Sequence, residues 1–379
     1  MRLEIWHNIM WSAYKASVFS QLARQAEAAQ VELCIYQIAE TENDRKGLAD
    51  VNLSLHQYPL HNLFKGSYSA VPKMKLYWQL AKRTATTKAD LTILAGFERP
   101  EFWMQALILL LRRKKRAVFC DSTGYDNPQI WYKALAKRVF FWMCPYAFCY
   151  GERAKQYVMS FGVAADRALG RCQAAWLPAS YDVTQIPLRR TAAAPAADHP
   201  VFLYVGRLSP EKRLDTLIQA FAQVLPQKPA ATLRIIGTGR QEAELKALAA
   251  TLGCAEKVEF TGGKSGEELY ACYLGATVLV LPSWSEPWGL VVNEALHLGC
   301  PVIVSDRCGC VPELATNPAC GMHFSCGDAD ELADKMAQAL MVFADHAKVT
   351  EACLQQIAPF SPDNAAASIL KGAQGIVKG

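Results

Sequence analysis

The sequence predicts two α/β domains, each a parallel sheet covered by helices on both faces. Three observations carry this. The chain has 379 residues, more than one hydrophobic core usually organises. After residue 200, short apolar runs alternate with segments of helical period, as in doubly wound sheets. The charge also divides: residues 1–190 hold 26 Lys and Arg against 15 Asp and Glu, a net +11, and residues 191–379 hold 14 against 20, a net −6.

In the first half, Leu3–Trp6 reads as a strand, Ala16–Gln30 as a helix, Glu32–Ile38, Leu91–Ala95 and Ala117–Cys120 as further strands, and Ile130–Trp142 as a helix. The stretch 189–200, RRTAAAPAADHP, has small residues, two prolines and no apolar period, so it reads as a linker. Val201–Val205 (VFLYV) is a continuous apolar run suited to a strand buried on both faces. Leu214, Leu217, Ile218 and Phe221 then fall on one helix face. The alternation continues through strand Thr232–Ile236, helix Gln241–Leu252, strand Val258–Phe260, helix Glu267–Leu274, strand Thr277–Pro282, helix Pro287–Leu298 and strand Pro301–Ser305. The expected division is a first domain over 1–188, the linker, a second domain over 201–360, and a C-terminal helix over 361–379 that packs back on the first domain.

Composition excludes several classes. Half the residues are hydrophobic and 20% charged, which rules out a disordered chain and a collagen. The longest uncharged apolar runs, Ala106–Leu111 and Val139–Tyr150, fall short of the roughly 18 to 20 residues of a membrane span. The N-terminus lacks the apolar core of a signal peptide. Thirteen cysteines without a CxxC pair read as reduced thiols. The expectation is a cytoplasmic protein whose basic half meets something anionic.

Chemistry gathers on loops after strands, where open α/β sheets bind ligands. After Val201–Val205 comes Gly206-Arg207-Leu208-Ser209-Pro210-Glu211-Lys212. Gly206 lets the backbone approach a ligand, Arg207 and Lys212 supply two cations, and the next helix adds its positive end. Such a loop holds a diphosphate without a metal. The second element is Glu286-Pro287-Trp288-Gly289-Leu290-Val291-Val292-Asn293-Glu294, two carboxylates eight residues apart across an expected helix start, with Pro287 at the first helical position. Eight residues of helix separate them by roughly 12 Å, too far to flank one glycosidic bond. The spacing suits one carboxylate on a sugar and the other on a ribose.

These residues resemble the retaining, metal-independent glycosyltransferases of the GT-B fold that carry an E-x7-E motif, the family 4-like group that builds bacterial surface polysaccharides. The resemblance covers about Val201–Leu340 and rests on VGRLSPEK (Val205–Lys212), IIGTG (Ile235–Gly239), FTGGKSGEEL (Phe260–Leu269), VLPSWSEPWGLVVNEAL (Val280–Leu296) and GCPVIVSD (Gly299–Asp306). It extends more weakly to Tyr150–Val163 and Leu177–Val183, where the family often has an asparagine-glycine turn and this chain has Ala179-Ser180-Tyr181. It implies two Rossmann-like domains facing each other across a cleft. It also implies that Arg207 and Lys212 hold the donor diphosphate, with Gly206 at its backbone. Glu286 would meet the donor sugar, Glu294 the ribose hydroxyls, the Gly289 and Leu290 amides sugar or phosphate, and Gly263 and Lys264 would border the base. No cofactor or metal is implied; the donor is a nucleotide diphosphate sugar, UDP ranking ahead of GDP, and the sugar a hexose.

Competing signals are weaker. Gly237-Thr238-Gly239 lacks the third glycine of a dinucleotide fingerprint. Asp328-Ala329-Asp330 is accounted for by helix N-capping, and Cys308-Gly309-Cys310 lacks zinc-site spacing. The first domain should supply the acceptor site. Its opening loop, His7 to Lys15, departs from the family, which often has a glycine pair there. Asp121, after its strand, is either an acceptor-activating or sugar-contacting residue or a turn-former before Ser122-Thr123-Gly124; His7 poses the same alternative.

Basic and aromatic residues interleave in the first half: Arg112-Arg113-Lys114-Lys115-Arg116; Trp131, Leu135 and Trp142 on one helix face with Lys133 and Lys137 opposite; and Lys65, Lys73, Lys75, Lys82 and Arg83 among Phe64, Tyr68, Tyr77 and Trp78. An anionic bilayer selects such a surface; a core helix with a solvated face is the alternative. The expected partners are therefore a nucleotide-sugar donor, a lipid-linked sugar acceptor and the inner membrane face, with no nucleic acid. The rival functions are an acceptor-independent sugar-nucleotide epimerase and a non-catalytic nucleotide-sugar-binding module.

Overall fold

The structure is a computed structural model that describes residues 1–10, 12–42, 53–125, 130–171, 173–178 and 181–379. Trp11 of the opening loop and Ala179-Ser180 lie outside the described residues. The chain forms two compact units, Met1–Trp176 with Phe360–Gly379, and Leu177–Pro359.

The first unit holds seven parallel strands, β1 (Arg2–Ile9), β2 (Glu32–Ala39), β3 (Leu60–Asn62), β4 (Leu91–Leu94), β5 (Lys115–Cys120), β6 (Tyr146–Cys149) and β7 (Ala168–Gly170), in the order β3-β2-β1-β4-β5-β6-β7. Its helices begin with α1 (Ala13–Ala28), α2 (Lys73–Thr86), α3 (Pro100–Leu111), α4 (Trp131–Met143) and α5 (Glu152–Ser160). Alternate strand residues serve opposite faces. Ile5, Ile35, Ile93 and Phe119 meet α1, while Trp6, Leu94, Val118 and Cys149 meet α2, α3, α4 and α5. The apolar run Val139–Tyr150 divides at Pro145, which lies between the end of α4 and the start of β6.

The second unit holds six parallel strands, β8 (Val201–Val205), β9 (Thr232–Ile236), β10 (Val258–Phe260), β11 (Val278–Leu281), β12 (Val302–Ser305) and β13 (Gly321–Phe324), in the order β10-β9-β8-β11-β12-β13. Around them run α6 (Ile186–Ala193), α7 (Leu214–Val224), α8 (Glu242–Thr251), α9 (Gly266–Leu274), α10 (Leu290–His297), α11 (Val311–Leu314), α12 (Ala329–Val342) and α13 (His346–Ile357). Both sheets are doubly wound in the Rossmann manner, as expected. Their order reverses between β1 and β4 in the first unit and between β8 and β11 in the second, and ligands bind at such switch points.

Two expectations need correction. The segment read as a linker is helical through Ala193, because Arg190 is buried and its Nη1 caps the end of α9 by donating to the carbonyls of Tyr273 (3.2 Å) and Leu274. Helix α10 starts at Leu290, not Pro287: Gly289 stands at its N-cap with φ +102°. Glu294 is therefore the fifth residue of α10, about 6 Å from its start, rather than two turns in. Asp328 does cap a helix, its Oδ1 accepting from the Glu331 amide at 2.9 Å.

The last helix, α14 (Pro362–Lys378), belongs to the first unit. Its Ala365, Ala366, Ile369 and Ala373 join the cluster that α1 builds with Val18, Phe19 and Leu22. Gly372 permits the close approach: a Cβ there would fall 2.6 Å from Phe148 Cε1 of β6. Gly372→Val overpacks this contact and should cost about 1–3 kcal/mol, read as an earlier midpoint in a denaturation curve.

Candidate functional site

Lys212 and Glu286 meet at the switch point of the second sheet. Lys212 ends the loop after β8 and Glu286 lies in the loop after β11; Lys212 Nζ donates to Glu286 Oε2 at 2.5 Å. Both are largely shielded, with side chains 11% and 18% exposed. The β8 loop is held from below. Tyr204 Oη donates to the Arg207 carbonyl at 2.9 Å, and a Cβ on Gly206 would strike Tyr204 Oη at 2.6 Å. A Cβ on Gly237 would fall 1.8 Å from the Gly206 carbonyl oxygen, and one on Gly239 2.2 Å from that of Leu208. The glycines of IIGTG thus serve close backbone contact between the β8 and β9 loops. Arg207 extends into solvent, its side chain 72% exposed and 3.3 Å from Glu211. The two cations are therefore unlike: one shielded and held by Glu286, one exposed beside Glu211.

Glu286 is braced by its neighbours. Its carbonyl accepts from the Gly309 amide at 2.9 Å, and the Trp288 carbonyl from the Cys310 amide at 3.2 Å. Gly309 permits this, since a Cβ there would lie 1.8 Å from the Pro287 carbonyl. Trp288 Nε1 donates to Asn293 Oδ1 at 2.7 Å, tying the loop to α10. The Trp284 amide donates to the Glu211 carbonyl at 2.8 Å, and Arg307 stacks on the Trp284 ring at 3.9 Å while donating from Nε to its carbonyl at 2.7 Å. Gly289 and Leu290 stand at the α10 N-terminus, whose amides suit an anion.

Glu294 lies in a drier place. Burial pushes its carboxyl up to about 7, against the opposing effect of Tyr273, whose Oη donates to Glu294 Oε2 at 2.7 Å. Gly263 and Lys264 sit after β10, whose loop joins that of β9 through the Gly237 amide and the Gly262 carbonyl (2.8 Å); Lys264 lies 3.7 Å from Glu268.

In the first unit, Asp121 follows β5 and is exposed. His7 is buried, with Nδ1 2.9 Å from the Ile9 carbonyl and Nε2 2.6 Å from Lys15 Nζ. Burial, then the Lys15 charge, hold its pKa well below the usual value. The neutral ring thus carries its proton on Nδ1 and accepts from Lys15 at Nε2, so His7 serves as a support rather than a base. Glu98 is pushed up by burial and next by Asp121. Among the described residues no group of three metal-ligating side chains occurs.

Residues 187–349 match the family model described as glycosyl transferases group 1. The D-inositol 3-phosphate glycosyltransferase of Nocardia farcinica is 35% identical over 167 residues, covering 41% of this chain and 36% of that protein. The chain spans 27% and 34% of two other curated relatives, a minor part of each. Two solved structures share the whole fold. An Anabaena protein, Alr3699/HepE in complex with UDP, matches with TM-score 0.73 and 16% identity over 99% of this chain and 100% of that one. The lipopolysaccharide outer core galactosyltransferase WaaB, in apo form, matches with TM-score 0.74 and 17% identity over 99% of both chains. The fold is GT-B.

Sequence reasoning missed the residues that support the second unit's loops: Tyr204, Tyr273, Glu211, Trp284 and Arg307. Glu211 and Trp284 lie inside recognised motifs and Tyr204 just before one, whereas Tyr273 and Arg307 act on residues 21 and 23 positions away.

Glu294 has a pH consequence. A carboxyl raised from 4.5 to about 7 in the folded state stabilises fully below its unfolded value, and that stability is lost as pH rises through 7. Between pH 5 and pH 8 the loss is at most about 3 kcal/mol. Glu294→Gln keeps an acceptor for Tyr273 and should flatten this dependence, measured by chemical denaturation at both pH values.

Proposed function

We propose that the chain is a retaining, metal-independent glycosyltransferase that moves a hexose from a nucleotide diphosphate sugar, UDP ahead of GDP, to a hydroxyl of a lipid-linked acceptor in surface-polysaccharide synthesis. The observation that carries this is the Lys212–Glu286 pair at the second sheet's switch point, inside residues that match a glycosyl transferase model. The UDP held by the Anabaena neighbour supports a nucleotide donor.

The chemistry follows from charge. Breaking the sugar–phosphate bond leaves negative charge on the diphosphate. Lys212, held beside Glu286, and Arg207, exposed beside Glu211, neutralise it without metal. Glu286 beside Lys212 faces the sugar, where a carboxylate binds hydroxyls and steadies a developing oxocarbenium ion. Glu294 takes the ribose hydroxyls, Gly206, Gly289 and Leu290 offer backbone to sugar or phosphate, and Gly263 and Lys264 border the base. Asp121 contacts or activates the acceptor. Lys212→Ala and Glu286→Gln should each lower turnover by at least about a hundredfold with the far-UV spectrum intact. Nucleotide release is measured with and without acceptor, together with the fate of the sugar nucleotide: conversion to an altered sugar nucleotide with no acceptor and no net nucleotide release indicates an epimerase, and binding with neither release nor conversion indicates a non-catalytic module.

The first unit also offers a surface for an anionic bilayer. Trp131, Leu135 and Trp142 do share a face of α4, but that face points outward, with Trp131 78% and Trp142 71% exposed; Phe140, Phe141 and Met143 form the buried side. Trp78 and Met74 on α2 and Leu107 and Leu111 on α3 are exposed as well, and α3 packs beside both α2 and α4. Lys73, Arg83, Lys133 and Arg138 supply positive charge there, and Lys82 lies 4.9 Å over the Trp78 ring. The run at 112–116 contributes less than its charge suggests. Arg112, Lys114, Lys115 and Arg116 donate to the carbonyls of Thr87, Ala89, Ile376 and Met143, respectively, within the fold. Among the described residues no helix is long and apolar enough to cross a membrane; the attachment proposed is peripheral, on the inner membrane face. Liposome sedimentation checks it. Pelleting should require anionic lipid, fall with salt and drop in Trp131→Ala/Trp142→Ala; equal pelleting with neutral vesicles rejects it.

A further inference from the structure

Among the described residues no carboxylate forms an ion pair with Lys15 or Arg171, two cations at the carboxyl end of the first sheet. Arg171, immediately after β7, is 98% buried, with 2% of its surface exposed. Its guanidinium lies 4.5 Å from the Tyr150 ring centroid and 4.8 Å from that of Phe119. Nη1 donates to Tyr150 Oη at 3.0 Å, while Nε and Nη2 have no hydrogen-bond partner. A buried arginine is almost always paired, and its orphaned donors carry a desolvation cost. Lys15, in the first turn of α1, donates to neutral His7 and lies close enough to Arg171 for the two charges to repel. Asp121 attracts Lys15 more strongly than Arg171 repels it, and the Lys15 charge also reaches Glu98. Helix α1 begins without a side-chain cap bond and without an acidic residue in its first turn, so its positive end is unopposed. Lys15 stands beside His7 of β1 and the Arg171 guanidinium over the ends of β5 and β6, and an arginine fork with two vacant donors matches the paired oxygens of a phosphate.

We propose that Lys15 and Arg171 form a phosphate-binding site in the first unit, separate from the Lys212 loop. Binding itself needs only these residues; assigning the phosphate to the acceptor rests on the function proposed above. The same chemistry could come from the donor's diphosphate, so the test uses both sources.

The full chain is titrated with methyl phosphate and, separately, with UDP, followed by calorimetry, in wild type, Lys15→Gln, Arg171→Lys and Lys212→Gln. Methyl phosphate affinity should fall about tenfold in Lys15→Gln and Arg171→Lys, and the same fall should persist when each is combined with Lys212→Gln, which removes the phosphate-binding lysine of the second unit. UDP affinity unchanged in the first two and reduced in the third assigns the site to the acceptor; UDP affinity reduced in all three assigns it to the donor. Methyl phosphate that fails to bind wild type, or that binds Lys15→Gln as well as wild type, overturns the proposal. Should Arg171→Lys not fold, Lys15→Gln carries the same test alone. A wild type that binds methyl phosphate but releases no nucleotide from any sugar nucleotide rejects the proposed function and leaves this site standing.

Discussion

A largely buried ammonium 2.5 Å from a carboxylate is the interaction around which the second unit is arranged. Such pairs are not free: desolvating two charges costs several kcal/mol, and the attraction offsets it only when geometry is held. Here the holding is done by backbone. Gly237 and Gly239 let the β9 loop press on the β8 loop, Gly309 lets the following loop press on the carbonyls flanking Glu286, and Tyr204 supports the turn from beneath. The pair is thus a consequence of five short loops that share one sheet end. An anion arriving there meets a lysine already in place, and the carboxylate remains beside it rather than being expelled.

The two carboxylates of the Glu286–Glu294 segment differ because their surroundings differ. Glu286 faces an ammonium and Glu294 a tyrosine hydroxyl; both are half-buried, and desolvation raises the Glu294 carboxyl to about 7. Pairs of acids driven apart by environment are a recurrent route to distinct roles within one site. The helix start at Leu290 sharpens the contrast, since it puts Glu286 in a loop and Glu294 on a rigid turn.

What was legible in the sequence follows physical lines. Strands β8 and β11 are buried on both faces and read as unbroken apolar runs, and α7 shows its period plainly. The first unit hides more. Strands β3 and β7 have three residues each, too few for a pattern. Helix α4 and β6 form one apolar stretch in which only Pro145 marks the boundary. Arg112 to Arg116 read as surface charge because a sequence does not show which cations cap carbonyls. Lys212 and Glu286 were legible because each sits in a local motif. Tyr273 and Arg171 were not, since each acts on a residue far away in the chain.

The first unit's opening loop shows how a departure from a family pattern can be physically consistent. Where relatives often bring a glycine pair, and so bare backbone, to a ligand, this chain places Ser12, Ala13, Tyr14 and Lys15. A side chain there forfeits close backbone approach but can contribute charge at a distance. That exchange is useful only if the charge is kept in position and not cancelled. His7, held neutral by burial and by Lys15 itself, fixes the ammonium without neutralising it, whereas an aspartate at the same position would have removed the charge from use. Arg171 follows the same logic, being held by two aromatic faces and a phenol rather than by an acid. Both cations are therefore supported by neutral groups, which is the arrangement expected where the counter-charge belongs to a ligand.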